Sequence, residues 1–261
     1  MTDTLHFTDK AAEQLLAAYV TPEVKEQRRK VMEILQLQSG GKVLDIGSGP
    51  GYLASEMATI VGQAGEVHGV DISEELLGLA REKYADQPQL KFHNANAARL
   101  PFPSDYFDVV VVTQVLEYLA DVETALSEFR RVLRAGGRIL VLDTDWDSIV
   151  WHSSNPSLMK KILHVWDEHL VDPYLPRTLM AKLSSTGFKQ EYQTIIPLFN
   201  PQFAEDTFSN RMIDLIGSFV RGRQGLEERE VDEWTADLRQ QGKQGNYFFS
   251  LNRYVFVASK P

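Results

Sequence analysis

The sequence VLDIGSGPG at residues 43–51 decides the fold of this chain. A mostly apolar strand runs into a turn that has glycine at every second position, Gly47, Gly49 and Gly51. Because glycine has no Cβ, a ligand can approach this backbone closely and positive φ angles are tolerated. A second apolar strand follows and ends in a lone carboxylate, Asp71. The pattern predicts an adenosine-bearing ligand that lies across the carboxyl ends of parallel strands.

The spacing of the glycines separates two classes of cofactor. Dinucleotide-binding folds favour G-x-G-x-x-G, whose third glycine allows close helix packing beneath a pyrophosphate. Here the order is D-x-G-x-G-x-G, and Asp45 stands two residues before the first glycine. A carboxylate in that turn repels a pyrophosphate but suits the cationic amino-acid end of S-adenosylmethionine (SAM). We therefore predict SAM as the cofactor, with Asp71 accepting hydrogen bonds from the ribose hydroxyls.

Composition limits the partners and the compartment. The 261 residues are 43% hydrophobic and 24% charged, which is typical of a globular protein. The net charge of −9 argues against a nucleic-acid partner, since such proteins usually present a basic face. Without cysteine there is no disulfide and no thiolate metal site, and we predict no metal. The sequence has no apolar run of the roughly 20 residues that a membrane span needs and no signal peptide, which favours a cytoplasmic protein.

The alternation of strands and helices predicts the fold class. Apolar periodicity predicts strands at 42–46, 66–71, 89–94, 107–113 and 138–143, with helices at 11–20, 22–37, 52–61, 74–84 and 122–133. This α/β alternation is typical of a doubly wound, mostly parallel sheet. Beyond residue 143 we predict helices at 155–170, 176–185, 207–220 and 227–241, and strands at 188–196 and 248–258. The sheet then has seven strands, with N-terminal helices and a helical insertion before the last strand.

No linker or internal repeat marks a boundary, so the sequence predicts one domain over residues 1–261. We divide it into N-terminal helices (1–38), a SAM-binding core (39–145) and a substrate side with the insertion and the sheet closure (146–261).

Residues 40–145 resemble the class I SAM-dependent methyltransferases. The resemblance rests on the glycine turn and on four later segments: NAARLPF at 96–102, FDVVVV at 107–112, TQVLEY at 113–118 and VLRAGGR at 132–138. The pattern is closest to the ubiquinone/menaquinone-type and related small-molecule methyltransferases. The resemblance implies a Rossmann-like methyltransferase fold, whose last strand is often antiparallel.

The resemblance also implies the cofactor contacts. They fall on Asp45, Gly47, Ser48, Gly49, Gly51, Asp71, Ile72, Asn96, Ala97 and Gln114. Asp45 and the amides of the glycine turn hold the methionine portion, and Asp71 holds the ribose. Ile72 packs on the adenine, and Asn96 with Ala97 reads the edge of the base, although the family usually has aspartate at the position of Asn96. Gln114 ends the fourth strand and faces the cofactor cleft. Tyr19 is either a lid over the cofactor or an ordinary packing residue.

Methyl transfer is an in-line displacement that depends mainly on positioning the nucleophile. A general base is needed only if the acceptor arrives protonated. The segment LDTDWDSIVWH at 142–152 follows the fifth strand, where α/β folds bind their ligands. One interpretation makes its two tryptophans an aromatic wall with His152 as the base; the other is a turn of solvated acids with packed tryptophans. His152 and Gln114 are the candidate catalytic residues.

The sequence thus predicts an enzyme that transfers a methyl group from SAM to carbon or oxygen of a small apolar or aromatic molecule. Two alternatives stay open. One is methylation of a tRNA or a protein, and the other is a SAM-binding regulatory protein without transfer activity. The oligomeric state is not predicted.

Overall fold

The structure is a computed structural model that describes residues 16–261. The predicted helix at 11–20 lies partly outside the described residues, and residues 16–19 are helical. In chain order the strands are β1 (Lys42–Ile46), β2 (Glu66–Asp71), β3 (Leu90–Asn94), β4 (Phe107–Thr113), β5 (Leu133–Thr144), β6 (Val150–Trp151), β7 (Lys189–Asn200) and β8 (Phe249–Ser259). The helices are α1 (Pro22–Leu35), α2 (Tyr52–Val61), α3 (Glu74–Lys83), α4 (Val122–Val132), α5 (Pro156–Trp166), α6 (Pro176–Ser185), α7 (Phe208–Val220) and α8 (Glu228–Lys243).

The chain divides into two compact units. The sheet unit consists of Lys30–Asp145, Tyr174–Ile196 and Arg253–Pro261. The helical unit consists of Trp146–Pro173, Pro197–Asn252 and the described residues before Lys30.

The sheet follows the order β3-β2-β1-β4-β5-β8, with β7 paired to β8. The first five strands are parallel, and β8 runs antiparallel to β5 from Arg138↔Ser259 to Thr144↔Arg253. Because parallel strands end at the same edge, β1, β2, β4 and β5 bring their last residues together. The doubly wound, mostly parallel fold is confirmed.

Both faces of the central strands are buried, as the continuous apolar run at 107–113 predicts. On one face, Val110 and Val112 belong to a cluster with Phe129 of α4. On the other face, Val111 belongs to a cluster with Met57 of α2. This double covering makes the sheet a rigid platform for its carboxyl edge.

The helical unit has its own core. Ile213 and Ile216 of α7 are fully buried with Trp234 of α8. The short strand β6 pairs with the beginning of β8, and the ring of Trp151 meets the ring of Phe249 edge-on at 4.8 Å. The helices between β7 and β8 agree with the predicted insertion.

Two details of the sheet differ from the sequence prediction. The sheet has eight strands rather than seven, because the two-residue strand β6 also pairs with β8. A strand this short carries no periodicity that a sequence pattern could reveal. In addition, β5 begins at Leu133 rather than at residue 138, since Leu133 already pairs with Phe107 before a shift of register.

Candidate functional site

Asp45 lies at the carboxyl edge of the sheet with its side chain almost fully enclosed. The residue is 1% exposed, and its Oδ2 atom has no hydrogen-bond partner among residues 16–261. Burial, together with the negative charge of Asp71, raises the pKa of Asp45 to about 8. A carboxyl group in this state gains a charge-stabilising partner when a cation binds beside it.

The glycine turn is fastened to β2 by its own amides. Gly47 N and Ser48 N both donate to the Val70 carbonyl oxygen, at 2.7 and 3.0 Å. Gly49 N donates to Asp71 Oδ2 at 2.8 Å, and Gly51 N donates to the Ser48 carbonyl oxygen at 2.9 Å. The assignment of these amides to the methionine portion of SAM stays a prediction.

The turn still leaves room for a ligand. Gly49 has a φ of 49°, and a Cβ built on it would meet no atom nearer than Leu76 Cδ1 at 4.0 Å. The buried hydroxyl of Ser48 has no hydrogen-bond partner in the described part of the chain. The turn thus offers a ligand open space at Gly49 and the hydroxyl group of Ser48.

Asp71 joins the glycine turn to the start of α3. Its Oδ2 accepts from Gly49 N at 2.8 Å and its Oδ1 accepts from Ser73 N at 2.9 Å. Each oxygen keeps a further lone pair for a ligand hydroxyl. The next residue, Ile72, is 63% exposed, and the Asn94 amide donates to its carbonyl oxygen at 2.9 Å. An exposed isoleucine held at this edge suits packing against a flat ring.

Asn96 and Ala97 follow β3 in the same unit. Asn96 Oδ1 accepts from the Ala98 amide at 2.8 Å, which fixes the orientation of the exposed side chain. Ala97 is buried. The role of these two residues at the adenine stays a prediction.

Gln114 takes an unusual backbone conformation directly after β4. Its φ is +57°, a left-handed value that is uncommon for a residue other than glycine. Its Oε1 accepts from Thr144 Oγ1 at 2.7 Å, and its buried Nε2 has no acceptor within residues 16–261. A strained residue with an unsatisfied donor is a frequent feature of ligand sites.

The residues at this edge fit SAM. At this edge, Asp45 Oδ2, Ser48 Oγ and Gln114 Nε2 are buried atoms that have no hydrogen-bond partner among the described residues. All three residues lie at or just beyond the carboxyl ends of β1 and β4. Acceptor oxygens suit the ammonium and the sulfonium of SAM, and the donors suit its carboxylate.

The two remaining predicted site residues, Tyr19 and His152, belong to the helical unit. Tyr19 is partly buried against the core of that unit, and its carbonyl oxygen accepts from Arg28 Nη1 at 2.8 Å. This is the packing that the second interpretation of Tyr19 predicts, and a lid role stays a prediction.

His152 is exposed and lines a groove of about 710 Å³ in the helical unit. Its amide donates to the Phe248 carbonyl oxygen at 3.0 Å. Trp151 and Phe248 line the same groove, whereas Trp146 packs edge-on against Trp166 at 5.7 Å. Of the two tryptophans that the sequence predicts for an aromatic wall, Trp151 lines the groove and Trp146 does not. His152 as a base stays a prediction.

His169 lies in an aromatic environment of the helical unit. Its ring stacks on Trp166 at 3.7 Å and meets Trp146 edge-on at 5.1 Å and Phe219 at 5.9 Å. Nδ1 donates to the Trp166 carbonyl oxygen. Burial lowers the pKa of His169 to about 4, so the ring is neutral at physiological pH.

This lowered pKa predicts a loss of stability in acid. Between about pH 6.5 and pH 4 the unfolded chain protonates this histidine while the folded protein does not. The ring is only partly buried, so we expect the free energy of unfolding to fall by about 1–2 kcal/mol over this interval from His169 alone. His169→Phe keeps the stacking and should remove this contribution. Urea unfolding at pH 7 and pH 4.5 measures the difference, with the exposed His164→Gln as a control that keeps the wild-type pH dependence.

Comparison with known proteins agrees with the geometry of the carboxyl edge. Residues 44–141 match the family model of a methyltransferase domain. Over 119 residues the chain is 37% identical to the ubiquinone/menaquinone biosynthesis C-methyltransferase UbiE of Vibrio vulnificus. That match covers 44% of this chain and 46% of the relative, so the chain spans about half the length of the curated relative. The match over residues 44–141 supports a class I SAM-dependent methyltransferase domain.

Solved structures show that the fold extends beyond the methyltransferase domain. A SAM-dependent methyltransferase from Aquifex aeolicus is 16% identical with a TM-score of 0.57, and the match covers 95% of this chain and 98% of that one. A phosphoethanolamine N-methyltransferase from Haemonchus contortus, solved with SAM, is 19% identical with a TM-score of 0.63. That match covers 99% of this chain and 59% of the other. At these identities the likeness concerns the fold.

Sequence reasoning missed several residues of the sheet unit that shape its carboxyl edge. Asn94 holds the carbonyl of Ile72, Thr144 holds the side chain of Gln114, and Asp143 accepts from the Val115 amide. The position of Asp143 at the end of a strand was the one available signal. Hydrogen bonds between neighbouring strand ends depend on register, which the sequence does not specify.

No helix within residues 16–261 is long and apolar enough to cross a membrane. The same described residues contain no group of three or more His, Asp or Glu side chains placed to hold a metal ion.

Proposed function

We propose that this protein transfers a methyl group from SAM to carbon or oxygen of a small apolar or aromatic molecule. The observation that carries the proposal is the buried carboxyl of Asp45, whose Oδ2 has no partner within residues 16–261, beside an open glycine turn that Asp71 fastens. The similarity of residues 44–141 to methyltransferase domains supports the reaction. The name of the Vibrio relative, a C-methyltransferase of quinone biosynthesis, supports carbon of an aromatic ring as one acceptor.

The chain's own residues bind and orient the cofactor. When bound, SAM supplies an electrophilic methyl group on a sulfonium centre. Asp45 pairs with the cationic amino-acid end, and Asp71 accepts from the ribose hydroxyls while it holds Gly49. Gln114 directs its Nε2 donor into the site, where it orients a carboxylate or an acceptor oxygen. These fixed groups supply positioning, which is the main requirement of an in-line displacement.

The groove of the helical unit has the chemistry of an apolar or aromatic ligand. Its apolar walls include Ile149, Trp151, Met159 and Leu163. Its polar lining residues are His152, Ser153, Lys160 and Asn246. Small-molecule sites are usually apolar with a few polar groups, as this groove is. We propose it as a binding surface for the acceptor, with His152 accepting a proton from a phenolic or enolic oxygen.

This role of His152 predicts a specific kinetic change. His152→Ala should lower turnover about 10²- to 10⁴-fold, the usual contribution of a general base. SAM affinity should stay within twofold of wild type, because the cofactor contacts proposed here lie on other residues. Single-turnover kinetics with a responsive acceptor measures the first quantity, and calorimetry measures the second. Normal turnover of the variant would exclude His152 as the base.

A transfer assay tests the reaction and the substrate class together. The protein is incubated with methyl-labelled SAM and, in separate arms, with phenols and quinols, with bulk tRNA and with a protein mixture. We expect label in the organic extract of the first arm. Label only in the tRNA or protein arm would contradict the small-molecule proposal. SAM binding with no transfer in any arm would favour a regulatory SAM-binding protein. The cytoplasmic location remains a prediction.

A further inference from the structure

Three consecutive residues at the end of β5 hold the turn that follows β4. Gln114 N donates to the Leu142 carbonyl oxygen at 2.8 Å, and Val115 N donates to Asp143 Oδ1 at 3.2 Å. Thr144 Oγ1 donates to Gln114 Oε1 at 2.7 Å. Because Gln114 has a φ of +57°, the turn is held in a conformation that its own sequence disfavours.

The side chain of Val115 reaches the glycine turn. A Cβ built on Gly47 would lie 2.1 Å from Val115 Cγ2, so the valine occupies the space that the glycine leaves. Gly47 is the first glycine of the turn and follows directly on β1. A chain of direct contacts therefore runs from Asp143 through Val115 to Gly47.

Asp143 has an environment that does not favour a carboxyl group. The residue is fully buried, and its Oδ2 has no hydrogen-bond partner in the described part of the chain. The buried Glu117 adds a second negative group, and Arg253 supplies one opposing positive charge. Burial and the charge of Glu117 raise the pKa of Asp143 well above its usual range.

Burial alone does not require an aspartate at this position, since replacing buried ionisable groups by apolar ones is often neutral or stabilising. The fold alone thus gives no reason for an aspartate here. The hydrogen bond from Val115 N does give a reason for an aspartate, because an apolar side chain could not accept that hydrogen bond.

We propose that Asp143 is a positioning residue of the methyl transfer: through the Val115 amide it holds the turn at Gln114 and Val115 against Gly47. This inference rests on the function proposed above. Asp143 itself contacts neither substrate nor cofactor in this role. The oxygen of Asp143 that accepts from Val115 N positions the turn, and the negative charge of Asp143 is not required for this.

Two substitutions at this position separate the acceptor from the charge. D143N keeps an oxygen that can accept from Val115, so SAM affinity should stay within threefold of wild type. D143L removes the acceptor, and SAM affinity should fall at least tenfold by calorimetry. Since D143L removes a buried acid from beside Glu117 as well as the acceptor, its unfolding temperature should stay close to that of wild type. Lower affinity together with unchanged or higher stability is a result that a merely structural role does not produce.

A matched control exists at the opposite edge of the sheet. Asp108 of β4 accepts from Lys42 N at 2.7 Å, which is also a bond between a carboxylate and a backbone amide. D108L should lower the unfolding temperature and leave SAM affinity within twofold. Amide hydrogen exchange should show faster exchange in D143L confined to residues 113–118.

Each contrary outcome has a defined meaning. SAM affinity of D143L within twofold of wild type would overturn the proposal. Equal losses in D143N and D143L would show that the charge acts directly, which also overturns it. If D143L does not fold, or if its unfolding temperature is lower than that of D108L, Asp143 serves the stability of the fold. That result would overturn the proposal as well. Absence of SAM binding by the wild-type protein would instead contradict the proposed function.

Discussion

Asp45→Asn is expected to weaken SAM binding about 30- to 1,000-fold, the range for removing one partner of a buried charge pair. The amide cannot neutralise the cationic amino-acid end of the cofactor, and the enclosed site admits no water to replace the lost charge. The same substitution should stabilise the free protein. Because burial and Asp71 raise the pKa of Asp45 to about 8, folding near pH 7 must protonate a group that is ionised in the unfolded chain. The gain in the free energy of unfolding is of the order of 2–4 kcal/mol.

Titration calorimetry and thermal unfolding measure the two opposite effects in one set of samples. The pH dependence follows from the same pKa. Below about pH 8 the carboxyl is protonated in the free protein, so SAM binding should release a proton and affinity should rise from pH 6 to pH 7.5. Calorimetry in two buffers of different ionisation enthalpy detects this proton. The control is Asp108→Asn, which keeps wild-type affinity. A D45N variant that binds SAM normally would remove Asp45 from the site.

Asp71→Ala is the second large effect, with an expected loss of SAM affinity of about 10- to 100-fold. Hydrogen bonds from a ligand to a charged group contribute about 1.5–3 kcal/mol. The substitution also frees Gly49 N and Ser73 N, whose bonds of 2.8 and 2.9 Å to this carboxylate fix the glycine turn. Asp71→Asn keeps one acceptor oxygen and should show a smaller loss.

A cofactor fragment separates the roles of the two aspartates. Methylthioadenosine contains the adenine and ribose of SAM but lacks its amino-acid end. Asp71→Ala should weaken methylthioadenosine as much as SAM, whereas Asp45→Asn should leave it within twofold of wild type. The reverse pattern would exchange the two assignments. Unchanged SAM affinity in D71A would remove the ribose assignment altogether.

The sequence predicts the fold wherever one local pattern is enough to specify a strand or a turn. The apolar run at 107–113 is long enough to identify a strand buried on both faces, and the structure confirms it as β4. The glycine spacing after β1 likewise identifies a turn, and Gly47, Gly49 and Gly51 all adopt positive φ. The strand β6 has only two residues, so its pairing with β8 gives no such signal.

The site could be read only in part, because its hydrogen bonds join residues that are far apart in the sequence. The position of Asp71 follows from the strand that precedes it. That Asp71 would accept from Gly49, 22 residues earlier, depends on the register of β1 and β2. The bond from Val115 to Asp143 depends in the same way on β4 and β5. The roles of individual residues at the cofactor and the single-domain division stay predictions.

The most direct test is a parallel calorimetric titration of the wild-type protein with SAM, S-adenosylhomocysteine and NAD. The carboxyl edge of the sheet predicts micromolar binding of the first two ligands, with release of a proton at pH 7, and no binding of NAD. Binding of NAD alone, or of none of the three, would contradict SAM as the ligand of the glycine turn and of Asp45.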